Sequence, residues 1–182
     1  MKTLSLIVLC FLSSVIFSQS KFDTIFLSKS KNNKVYLDKD YKKFEHHNID
    51  TTSNIYLPLY LYKNKYYLYK PCDGYHDKSI LINEKSASIN IGEDQYFNIS
   101  NKIKNNRKTS YLLISQNINT ELEIKKINKK MYVIRFDNNY YLMTNSNQIK
   151  KFPIIINDCP NEKVDEFIFD NIDAKSIFES TN

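Results

Sequence analysis

Glycine is nearly missing from this chain: among 182 residues only Gly74 and Gly92 occur. Phosphate-cradling loops, dinucleotide fingerprints and the strained elbow of serine hydrolases need several glycines for close backbone approach, so none of them can be built here. Tryptophan is absent, and arginine is confined to Arg107 and Arg135. Two arginines argue against bidentate readout of bases or phosphates, which relies on the planar guanidinium fork. Alanine, the best helix former, occurs only at Ala87 and Ala174, which removes the basis for long surface helices. The histidines His46, His47 and His76 fit neither a helical metalloprotease motif nor zinc-finger spacing. The expectation is therefore no catalytic constellation, no metal site and no cofactor.

What is present begins with an address. Lys2 leads into an apolar run from Leu4 to Phe17 that ends in Ser18-Gln19-Ser20. A charged start, an apolar segment of roughly 14 residues and small residues before the cut are what signal peptidase reads, whereas a membrane-spanning helix needs about 20 apolar residues. Residues 1–20 read as a secretory signal peptide cut after Ser18 or Ser20, and 21–182 as a single β-rich domain, secreted or periplasmic, without a transmembrane span. Cys10 follows Ile7-Val8-Leu9 and lacks the small residue that a lipoprotein signal places before its cysteine, so no lipid anchor is expected. Cys72 and Cys159 survive processing into an oxidising compartment, and this even pair suggests one disulfide, with two unpaired thiols as the rival.

Charge is plentiful and uneven. The formal net charge is +6, yet from Asp158 onward seven acids face only Lys163 and Lys175, which leaves the body strongly basic. A basic body suits an anionic surface, a glycan or another exported protein, while lysines that merely solvate strand faces would give the same count. The 14 Tyr and 11 Phe, with abundant Ile, favour strands. Residues 55–62 alternate, with Leu57, Leu59 and Leu61 on one face and Tyr56, Tyr60 and Tyr62 on the other. Lys63-Asn64-Lys65 then precedes Tyr66-Tyr67-Leu68-Tyr69, a hairpin signal, and Pro58 places the strand at an edge or a bulge. The layout recurs in residues 131–136, Asp137-Asn138-Asn139 and 140–143, so the two hairpins are either duplicated halves or two uses of one alphabet. Further strands are expected over 24–27, 34–37, 79–82, 95–99, 111–115, 121–127, 152–156 and 166–169, with a short helix over 174–179 capped by Asp173. Leu122, Ile124 and Ile127 also fit a helix face. The predicted fold is all-β: a mostly antiparallel, partly closed barrel or a two-sheet sandwich, with at most this C-terminal helix.

Two places attract a functional reading. Cys72-Asp73-Gly74-Tyr75-His76-Asp77 gathers a thiol, an imidazole and carboxylates, which is equally a polar turn holding half a disulfide. The Tyr face of the first hairpin, comprising Tyr56, Tyr60, Tyr62, Tyr67 and Tyr69 beside Lys63 and Lys65, is the candidate binding surface: rings stack on sugars or bases, and lysine attracts anions. The reading is a non-catalytic binding or interaction protein of the bacterial envelope. One alternative is a lipocalin-like barrel carrying a small apolar ligand, although the Gly and Trp hallmark of that group is missing; another is a small exported hydrolase working with an Asp/Glu pair.

Overall fold

The computed structural model describes residues 24–26, 54–71, 78–116, 118–156 and 168–180. The signal segment, the candidate strand over 34–37, the three histidines and the cysteine pair lie outside the described residues.

Alternation of apolar and polar residues builds an eight-stranded barrel. Strands β5 (Ser79–Ile82), β6 (Ser86–Asn90), β7 (Asp94–Asn105), β8 (Lys108–Ser115), β9 (Ile118–Lys126), β10 (Tyr132–Phe136) and β11 (Asn139–Asn145) run as an antiparallel meander. Strand β2 (Asn54–Pro58) pairs with β11 on one side and β5 on the other and closes it. Closure gives every barrel strand a neighbour on each side. A second sheet, in the order β1 (Thr24–Phe26), β12 (Ile154–Ile156), β4 (Lys65–Lys70) and β3 (Tyr60–Tyr62), lies outside it.

Pro58 marks where the chain leaves the barrel. It has no N–H for a continuing ladder, and β2 ends there; Leu59 N still donates to Leu142 O at 2.8 Å before β3 joins the small sheet. Alternation persists through the break and feeds two cores. Tyr56 points into the barrel with Ile80, Ile89, Leu113, Leu122, Ile134 and Met143. Ile55, Leu57 and Leu59 point the other way and pack with Leu68 and Ile154 of the small sheet, Val133 and Leu142 of the barrel, and Phe178. Eight strands enclose an interior that side chains can just fill, and Ile80, Leu113, Ile134 and Met143 are fully buried there.

The barrel core also contains phenols. Burial pushes the hydroxyls of Tyr56, Tyr111 and Tyr141 above the usual phenol range, most strongly at Tyr56, where Tyr111 and Tyr132 add to the effect and the Asn145 side chain opposes it. A phenol that ionises in the unfolded chain near pH 10 but stays protonated in the barrel makes stability fall as pH rises above that value. Denaturant midpoints measured at rising pH should therefore drop above about pH 10, and Tyr56→Phe should flatten the drop.

Both predicted hairpins form, and shared turn chemistry accounts for their likeness. Lys63 and Asn64 have φ of 49° and 60°, and Asp137 and Asn138 have 48° and 61°, the left-handed pair of a two-residue hairpin turn. One hairpin belongs to the small sheet and the other to the barrel. Gly in the second turn position relieves the side-chain penalty of that backbone, so Asn64→Gly and Asn138→Gly should each raise the unfolding free energy by about 0.5 kcal/mol in urea titrations.

Other expectations shift in detail. The strand expected over 121–127 forms and starts earlier, over 118–126, with Leu122 and Ile124 inside the barrel. Strand β6 gives a weak signal because Ser, Ala and Asn dominate it, while β7 runs well past Ile99. Of the strand expected over 166–169, Ile168 and Phe169 are described without strand structure, and neighbouring Asp170 makes a single bridge to Leu61. The helix over Ala174–Ser180 (α1) forms with Asp173 as its cap: Oδ1 accepts from Ser176 N at 2.9 Å and Oδ2 from Ser176 Oγ at 2.6 Å. Those two bonds hold the Asp173 carboxyl below its usual range.

Candidate functional site

The tyrosine hairpin comes together only in part. Tyr60 stands opposite Tyr67 and Tyr62 opposite Lys65, so these side chains share the face turned away from the second core, with Tyr69 two residues beyond Tyr67. Tyr56 is separated from them, because β2 remains in the barrel wall and directs its ring inward. Phe169 lies over the group, 4.5 Å from the Tyr60 ring and 4.9 Å from that of Tyr69. Asp170 fastens this cover, donating its N–H to Leu61 O and accepting from Lys63 N at 2.8 Å through Oδ2. Tyr67 is 7% exposed. Lys63 Nζ lies 5.0 Å from the Tyr62 ring centre and Lys65 Nζ 5.9 Å from that of Tyr67, so the lysines cover rings whose flanks are buried. The hairpin is thus a packed aromatic ladder with an exposed tip at Lys63, Asn64 and Lys65.

A second surface emerges only from the topology. The β7–β8 turn and the β9–β10 turn are neighbours at one end of the barrel, joined by Lys126 N donating to Arg107 O at 2.8 Å. This brings Lys104, Arg107, Lys126, Lys129 and Lys130 onto one rim, all exposed. Lys102 folds over the mouth, its Nζ 5.4 Å from the Tyr111 ring centre. Among the described residues the acid on this rim is Glu84, beside Lys85 in the β5–β6 turn. The opposite end bears Glu93 and Asp137 in its turns, Asp94 at the start of β7 and, among the described residues, Lys78 just before β5. Among the described residues, cations outnumber acids at the first end and acids outnumber cations at the other. Exposed cations gathered on one rim add their fields at an approaching anion, over a reach of roughly 10 Å at 0.1 M salt.

A third group sits on the outer wall. Glu121 and Glu123 of β9 are the adjacent same-face carboxylates that an acid and base pair would resemble. Arg135 Nη2 donates to Glu121 at 2.8 Å, and its Nε stands 2.6 Å from Glu123 as an ion pair outside hydrogen-bond geometry. Glu123 is buried and also takes Lys108 and, at 3.2 Å, the Ser110 hydroxyl. Lys125 Nζ donates to the Phe178 carbonyl at 2.6 Å, and Phe178 lies under the Lys108 and Lys125 ammonium groups. The arrangement clamps α1 to the barrel wall. Among the described residues no group of three His, Cys, Asp or Glu side chains is placed to hold a metal ion. No helix among them is long and apolar enough to cross a membrane.

Comparison with protein-family models, with curated proteins and with solved structures finds no match for this chain.

Proposed function

We propose that the chain is a non-catalytic binding protein of the bacterial envelope that adheres to a surface of repeated negative charge through the lysine-rich end of its barrel. The observation that carries this reading is the convergence of Lys104, Arg107, Lys126, Lys129 and Lys130 on one rim. Point charges on flexible stems suit headgroups or a polyanion whose charges are not in fixed register, and the shortage of arginine fits that mode better than base readout. The filled interior favours work done from the outside over a small ligand carried within. The ion pairs that occupy Glu121 and Glu123 favour binding over hydrolysis.

Co-sedimentation of the full chain with vesicles tests the reading. It should pellet with phosphatidylglycerol vesicles at low salt, stay in solution with phosphatidylcholine vesicles, and be released as salt rises. A parallel titration with polygalacturonate separates headgroups from carboxylated glycan as the source of charge. Failure to bind either polyanion at low salt would remove the proposal.

A further inference from the structure

A notch lies in the outer wall at the opposite rim, where β8 stops short of β7. Pairing of β7 with β8 begins only at Asn98 and Ile114, whereas β7 pairs with β6 from Asp94. Beyond Ser115 the chain turns at Gln116, whose φ is 46°. Beside Tyr96 and Phe97 the place of a third strand is therefore vacated. The result is a notch of about 310 Å³ whose wall includes Ser86, Ser88, Tyr96, Asn98, Ile114 and Gln116.

The lining carries no charged side chain. A phosphate or carboxylate would leave water without a cation to meet it, which disfavours an anion. A purely apolar guest would desolvate hydroxyls and amides without giving them partners. A neutral polyol meets both conditions, because serine hydroxyls and the Asn98 and Gln116 amides each donate and accept. Tyr96 supplies the remaining element: it lines the notch and is 68% exposed, so its ring offers a flat apolar face for the C–H side of a pyranose. The volume lies at the low end of ligand pockets, roughly 300–1,000 Å³, which suits a short stretch of sugar.

We propose that this notch binds a neutral oligosaccharide, with Tyr96 as the stacking platform and Asn98 and Gln116 as hydrogen-bonding groups. The site is separate from the basic rim and does not depend on it. Saturation-transfer NMR on the full chain, with cellotriose, maltotriose and tri-N-acetylchitotriose as probes, tests it. At least one trisaccharide should receive saturation, and Tyr96→Ala should weaken its binding about tenfold, the equivalent of one stacking contact. Asn98→Ala, at an exposed position, should weaken it in the same direction. Neutralising Lys104, Arg107 and Lys129 should leave it unchanged, which separates this site from the rim. Absence of transfer to all three probes, or transfer undiminished by Tyr96→Ala, overturns the proposal.

Discussion

Replacing Lys104, Arg107 and Lys129 together by glutamine should lower the affinity of the full chain for phosphatidylglycerol vesicles about a hundredfold at low salt. Each cation close to an anionic surface contributes on the order of 1 kcal/mol, and 1.4 kcal/mol is a factor of ten, so three of them amount to about two decades. All three side chains are exposed and lie in or next to turns, so the fold should tolerate the change. The same number of substitutions placed elsewhere gives the control. Lys63→Gln and Lys65→Gln, together with Lys175→Gln, remove equal charge from the aromatic hairpin and from α1 and should lower affinity far less. Equal losses from the two sets would mean that only total charge matters, and that the rim is not a site.

The second large effect concerns what fills the barrel. Leu113→Ala should lower the unfolding free energy by about 3 to 4 kcal/mol, while Leu112→Ala on the same strand should change it by less than about 0.5 kcal/mol. Leu113 is 0% exposed among interior side chains, whereas Leu112, one residue away, faces outward and is 43% exposed. Removing a buried leucine side chain loses its transfer free energy and leaves a cavity that the closed wall cannot collapse into. Urea unfolding of both variants measures the difference. If the interior were a ligand chamber, Leu113 would line open space and its truncation would cost little, so a small value would revive the carrier reading.

These two effects separate what the sequence states from what only the chain path states. Alternation marked the wall where inward and outward residues differ in kind, as at Leu122, Glu123 and Ile124; Leu112 and Leu113, alike in sequence, are told apart only by the folded sheet. Turn chemistry was equally legible at Asn64 and Asn138, and a single carboxylate at Asp173 announced the helix. The outer half of β7 was not legible, because it projects past β6 and both its faces meet water, so Asn101, Lys102 and Lys104 carry no apolar rhythm. At the hairpin tyrosines, alternation places a residue on a face but does not say what covers the face. Phe169, more than a hundred residues from Tyr60, covers it. The basic rim was visible only as a net charge. Lys104 and Lys129 reach one rim because β8 pairs with both β7 and β9, and the notch at Tyr96 exists because β8 stops short of β7. Neither strand length nor strand pairing is written in any local window.

Lysine acetylation footprinting of the full chain, with and without phosphatidylglycerol vesicles and read by peptide mass spectrometry, tests the central claim most directly. Bound vesicles should shield Lys102, Lys104, Lys126, Lys129 and Lys130 from the reagent, while Lys63, Lys65 and Lys175 stay as reactive as in free protein. Shielding at Lys63 and Lys65 with an unprotected rim would contradict it and return the binding surface to the aromatic hairpin.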